Sequence, residues 1–169
     1  HLVEVKLCDY RDVSGSFDKI VSIEMLEAVG HKYYGTFFKK CSDLIKPNGK
    51  LILQVITIPD QRYRSYKTNP DFIQKHIFPG GILPSLYELT KAIKNSSNLK
   101  LDQVENIGVH YTKTLQIWRS KFNENKKSIL NLGFDEMFIR KWNYYLSYCE
   151  AGFSSEFIND LHIVIKKPK

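Results

Sequence analysis

Apolar and polar positions alternate with different periods along this chain of 169 residues, and each change of period marks an element. Leu2 to Cys8 alternates strictly, with Val3, Val5 and Leu7 set against Glu4 and Lys6, which predicts a strand covered on one face. Lys19 to Ile23 is a short run of β-formers and predicts a second strand. From about Lys32 to Ile45 the period lengthens, with Tyr33, Phe37, Cys41 and Leu44 on one helical stripe. Pro47-Asn48-Gly49 predicts a turn, and the nearly continuous Leu, Ile and Val of Lys50 to Thr57 predict a parallel strand buried on both faces.

The pattern becomes irregular from Ile58 to Pro84, which holds four prolines and four aromatics. Only Pro70 to Ile77 reads as a short helix there, with Asn69 as its cap. Residues 58–84 are expected to form a functional lid or acyl-chain insertion, because long irregular stretches in compact domains usually carry function. Periodicity then predicts a helix over Leu83 to Asn95 and a strand over Leu99 to Ile107. Tyr111, Leu115, Trp118 and Phe122 mark a long helix ending at Gly133. A helix capped by Asp135 follows, with Phe138, Trp142, Tyr145 and Cys149 on one stripe, and Leu161 to Lys166 closes the chain as a strand. Strands alternating with helices predict a single-domain α/β fold with a mostly parallel sheet. Its organising unit runs from Phe17 to Ile56: strand, two carboxylates (Glu24 and Glu27), helix, turn, strand. Ligands of open α/β sheets bind at the carboxyl ends of such strands.

Composition narrows the chemistry. Apolar residues make up 43% and charged residues 25%, as in a folded globular protein. No apolar run approaches the ~18 residues that span a bilayer. The first ten residues lack a signal-peptide layout, and three cysteines without a CxxC argue against a disulfide framework or zinc site, so a cytoplasmic setting is expected. The net charge of +7 and pI near 9.2 suit an anionic partner, but the lysines are scattered, so no nucleic-acid partner is expected. No glycine-rich phosphate loop, Gly-x-Ser-x-Gly elbow or HExxH is present, which leaves nucleotide hydrolysis, serine-hydrolase and zincin chemistry without a motif.

Several residues stand out for chemistry. Glu27, just past a buried strand among apolar neighbours, is either an exposed first-turn acid or a half-buried functional one. Gln54, the single polar residue of LILQVI, is either a satisfied core amide or a group facing the same pocket. Tyr144, Tyr145 and Tyr148 fit core or interface positions as well as a site. His110 suits a helix start, and Cys149 suits a small apolar filler.

Taken together, DYRD at Asp9, FDKIVSIEMLEAVGHKYY at Phe17, IFPGGILPSL at Ile77, HYTKTLQIW at His110 and KWNYYLSYCEAGF at Lys141 resemble the cyclopropane-fatty-acyl-phospholipid synthase family, which includes the mycolic acid cyclopropane synthases. The variants EMLEAVG and LQVI are similar to its plant-type branch. The resemblance runs from about Val3 to Lys167. It implies a Rossmann-like class I S-adenosylmethionine-dependent methyltransferase sheet, mostly parallel with its last strand antiparallel, lacking the first two strands and supplying strands 3 to 7. It implies transfer of a methylene carbon to a cis double bond of a phospholipid acyl chain, at a membrane surface, with closure of a cyclopropane ring. Related products with a methyl or methylene branch stay open, as do a catalytically dead lipid-surface module and a homodimer. In the family a bicarbonate ion serves as the base. The resemblance places Glu27, Gln54 (where the family has histidine), Ile56 and Tyr145 around it. It sets Cys8, Asp9, Tyr10, Ser22 and Ile23 against S-adenosylmethionine. The glycine-rich cofactor loop, the acidic ribose-binding residue and the amino-terminal lid are not in this sequence, so the chain reads as the carboxyl-terminal part of such an enzyme, inactive and weakly cofactor-binding alone. The strand expected at Val3 to Cys8 would then pair with Lys19 to Ile23 or with another chain.

Overall fold

A computed structural model describes residues Leu2–Lys169. The elements, in order, are β1 (Phe17–Ile23), α1 (Leu26–Val29), a 3-10 turn (His31–Tyr33), α2 (Tyr34–Leu44), β2 (Ile45–Thr57), α3 (Asp60–Thr68), α4 (Phe72–His76), α5 (Leu86–Ser96), β3 (Lys100–Asn106), α6 (Gly108–Glu124), α7 (Lys126–Asn131), α8 (Glu136–Ser154) and β4 (Asn159–Lys166). The sheet order is β1-β2-β4-β3. β1 and β2 run parallel, while β4 is antiparallel to both its neighbours. The last strand in sequence is thus inserted between two strands it opposes, the arrangement expected for the second half of a class I methyltransferase sheet.

The core lies on one face of this sheet. Leu51, Leu53 and Val55 of β2 and Ile163 and Ile165 of β4 point there, under Phe37, Phe38 and Cys41 of α2 and Leu89 and Ile93 of α5. All are buried, because a period of two aims alternate residues the same way and the stripes of α2 and α5 meet them. β2 is therefore not buried on both faces as its apolar run predicts. Its other face, Ile52, Gln54 and Ile56, is half-buried. There α6 and α8 pack together through Leu115, Leu146 and Phe153 and cover only the carboxyl end of the strand.

Some sequence expectations are corrected. Val3 to Cys8 forms no strand and pairs with no strand among the described residues; Val3, Val5 and Leu7 are 84%, 92% and 108% exposed. Alternation alone cannot hold a strand without a neighbour to accept its backbone hydrogen bonds. Among the described residues four strands are present instead of five, and the outer edge of β1 is unpaired. The stripe of α2 turns on Tyr34, which is buried, and not on Tyr33, which is 49% exposed. Pro47-Asn48-Gly49 is not a turn between elements but a bulge inside β2. It lies where the pairing jumps from Phe17↔Ile45 to Lys19↔Lys50, with Asn48 at φ 62°. Residues 58–84 hold two helices, α3 as well as α4. Asp71, not Asn69, caps α4 through a capping box with Gln74. The long helix toward Gly133 breaks at Asn125 into α6 and α7.

Candidate active site at the carboxyl edge of the sheet

β1 stops at Ile23, opposite Gln54 of β2. Glu24 follows with φ 48°, a left-handed conformation uncommon for a residue with a Cβ, and its N–H donates to the Gln54 carbonyl at 2.8 Å. This reversal swings the chain into α1, whose Leu26 is buried and whose Glu27 turns its carboxylate back to the sheet. With β1 ended, the Ile56 N–H has no strand partner on that side, and Glu27 Oε1 accepts it at 2.6 Å. Glu27 Oε2 is buried with no hydrogen-bond partner among the described residues. Burial pushes the Glu27 carboxyl up to about 7, against the lowering effect of its own and the Ile56 N–H, with Glu24 and Asp160 adding repulsion. Of the two readings the sequence leaves open, Glu27 is the half-buried acid.

Gln54 sits at the centre of a polar group that spans three strands and a helix. Its Nε2 donates to Asp160 Oδ2 at 2.8 Å and to Glu24 Oε1 at 3.0 Å, and lies 3.2 Å from the Tyr111 hydroxyl. The Tyr111 hydroxyl donates to the same Glu24 Oε1. On the other side of the amide, Gln54 Oε1 faces His162 Nε2 at 3.3 Å. Pairing of β2 with β4 places His162 across from Gln54 and Asp160 across from Ile56, so strand register alone brings them together. Asp160 is completely buried, with Oδ1 unpartnered, and burial followed by the nearby Glu24 raises its carboxyl to about 6. Tyr111 is set by α6, which starts at Gly108. A Cβ there would come within 2.9 Å of the Asp160 nitrogen, so only glycine lets α6 approach β4 this closely. The Tyr111 ring stacks on Phe153 of α8 at 4.9 Å.

The site expected from sequence is thus partly assembled. Glu27, Gln54 and Ile56 come together. Tyr145 makes no hydrogen bond to the Gln54 amide among the described residues; its ring lies against Trp142 at 5.3 Å and Phe78 at 6.2 Å, and it packs with Ile56 on the cluster formed by α6 and α8. Burial first, then Cys149, raises the Tyr145 phenol well above its ordinary range. The phenol that meets Gln54 is Tyr111. Sequence reading missed Tyr111, Asp160 and His162, although a lone acid and a histidine two residues apart at the head of the apolar run LHIVI are a usable signal.

On the cofactor side, Ile23 is 56% exposed and Ser22 is half-buried at the open end of β1. An apolar side chain held at a strand terminus beside an unpaired edge fits one wall of an S-adenosylmethionine cleft. Tyr10 packs on Phe37 at 5.7 Å, the Asp9 carboxylate is held by the Arg11 guanidinium at 2.7 and 2.9 Å, and the exposed Cys8 donates its thiol to the Asp9 carbonyl at 3.3 Å. A bicarbonate ion does not fit the residues set around Gln54. Both amide hydrogens are used by carboxylates, and the Tyr111 hydroxyl is used by Glu24, which leaves acceptors where an anion needs donors.

Comparison with known proteins places this geometry. The mycolic acid cyclopropane synthetase family matches residues 1–163. The chain belongs to that family. Among curated relatives, it is 40% identical over 159 residues to the tuberculostearic acid methyltransferase of Mycobacterium tuberculosis, covering 94% of this chain and 37% of the relative. It is 32% identical over 165 residues to the cyclopropane-fatty-acyl-phospholipid synthase of Escherichia coli, covering 98% and 41%. The chain therefore spans about two fifths of the length of these relatives. Among solved structures, a mycolic acid cyclopropane synthase complexed with SAH and CTAB superposes with a TM-score of 0.85 at 25% identity, over 96% of this chain and 59% of that one. Its curated relatives are thus named lipid methyltransferases and synthases, and the chain carries the strand order of the methyltransferase fold.

Proposed function

We propose that this protein, within its full-length gene product, transfers a methylene carbon to a cis double bond of a phospholipid acyl chain and closes a cyclopropane ring. The observation that carries this reading is the half-partnered Glu27 carboxylate at the carboxyl edge of the sheet, one oxygen on the Ile56 N–H of β2 and the other buried without a partner among the described residues. S-adenosylmethionine, when bound, supplies the electrophilic methyl carbon. Ser22 and Ile23 form the wall against which the cofactor lies. Ile56 sets an apolar side chain beside the reacting double bond, and its N–H fixes the Glu27 carboxylate in one orientation. Carbon added to an alkene leaves a cation that must lose a proton. A site edged by carboxylates stabilises that cation and offers the proton an acceptor. Exposed Trp118, Phe134 and Met137 on the α6–α8 side, with the positive net charge, support attachment to an anionic lipid surface from the cytoplasm.

A methyl or methylene branch is the second reading, favoured by the 40% identity to a tuberculostearic acid methyltransferase. Mass spectrometry of lipids from cells expressing the full-length gene separates the two. A gain of 14 mass units with loss of the double bond and no ozonolysis product supports the ring; an exocyclic methylene or a reduced methyl branch supports the alternative. Unchanged lipids would overturn both and leave a catalytically dead lipid-surface module.

A further inference from the structure

Resting on the reading just given, we propose that the Glu24 carboxylate is the resident base of the reaction, occupying the place where the family's resemblance puts a bicarbonate ion. Glu24 Oε1 accepts from the Gln54 amide and from the Tyr111 hydroxyl, the two donors an anion at this position would need. Asp160 takes the other hydrogen of the same amide, so no second anion can be bound there by Gln54. The backbone at Glu24 holds φ 48°, a conformation that a side chain makes costly and that a glycine would adopt freely. A strained residue kept at the carboxyl end of β1, with its side chain locked by two donors from other elements, points to a role for the side chain itself. Glu24 is also exposed, and no described residue donates to its Oε2, so one oxygen is left to accept a proton.

The proton balance closes without a further reactant. A C–H bond of the transferred carbon breaks, its electron pair forms the third ring bond to the cationic carbon, and the proton goes to Glu24. The resulting carboxylic acid keeps its place between Gln54 and Tyr111, and it returns the proton to water, to which it is open. For a methylene branch, a 1,2-hydride shift first moves the cation onto the carbon that bears the new methyl group; the same C–H electron pair then forms the exocyclic double bond, and the same oxygen takes the proton.

The test uses the full-length protein in buffer stripped of carbon dioxide. The wild type is expected to keep its rate when bicarbonate is withdrawn and when it is restored to millimolar levels. Glu24→Gly, which relieves the backbone, is expected to lose about 10²-fold or more without bicarbonate and to recover as bicarbonate fills the vacated donors. Glu24→Gln, which fills the same space, is expected to lose activity and not to recover. A binding readout is independent of turnover: ¹³C-bicarbonate is expected to broaden and shift with Glu24→Gly but not with the wild type. A wild type that needs bicarbonate or binds it, or a Glu24→Gly that works without it, overturns the proposal. Should no form modify lipid, the functional reading fails, while the binding arm still decides whether Glu24 holds the anion position.

Discussion

Replacing Glu27 by glutamine removes a charge while keeping an acceptor for the Ile56 N–H. The carboxyl is pushed up to about 7 from an ordinary 4.5, chiefly by burial. A native value above the unfolded one means that the folded state holds a proton the unfolded state has released between those two pH values. Stability from this group is therefore full below about pH 4.5 and is lost as pH rises through 7. The span corresponds to roughly 3 kcal/mol, of which about 2.5 kcal/mol falls between pH 5 and pH 8. Glu27→Gln lacks that loss. Urea unfolding of both forms at pH 5 and pH 8 should show the variant gaining about 2.5 kcal/mol on the wild type over the interval, with transfer activity falling by about 10²-fold. A constant difference across the interval would mean that Glu27 titrates as an ordinary surface acid, and the buried-carboxylate account of the site would be wrong.

Other substitutions test neighbouring parts of the fold. Tyr111→Phe keeps the stack on Phe153 but removes the hydroxyl from Glu24, so kcat should fall by about 10-fold or more, whereas Tyr145→Phe should cost less; equal losses would refute the assignment of the phenol. Gly49→Ala would set a Cβ 2.6 Å from Ile45 and 2.8 Å from the Asp18 carbonyl, so the bulge must shift and thermal unfolding should drop by several degrees. Gly108→Ala brings a Cβ against the Asp160 backbone, and calorimetry should show a loss of about 1–3 kcal/mol. Leu53→Ala, fully buried between α2 and α5, should cost about 2–5 kcal/mol in denaturant titration.

The sequence by itself determined the element types wherever a long apolar period was present. β2, α2, α5, α6 and α8 were legible because burial on a stripe repeats every 3.6 residues and burial on a strand every two. Glu27, Gln54 and Ile56 were legible as a group because they lie at the ends of two strands that one βαβ unit makes adjacent. Only the tertiary structure decided the rest. Val3 to Cys8 alternates like a strand yet stays unpaired, since a strand exists through the neighbour that takes its hydrogen bonds and sequence does not name one. Tyr111, His162 and Asp160 join Gln54 from positions 57, 108 and 106 residues away in the chain, through the antiparallel register of β4 and the close seat of α6 at Gly108. Glu24 reads as one more acid after a strand. Its left-handed backbone and the two donors that hold it emerge only when β2 and α6 are in place, because both donors come from elements the local sequence does not contain.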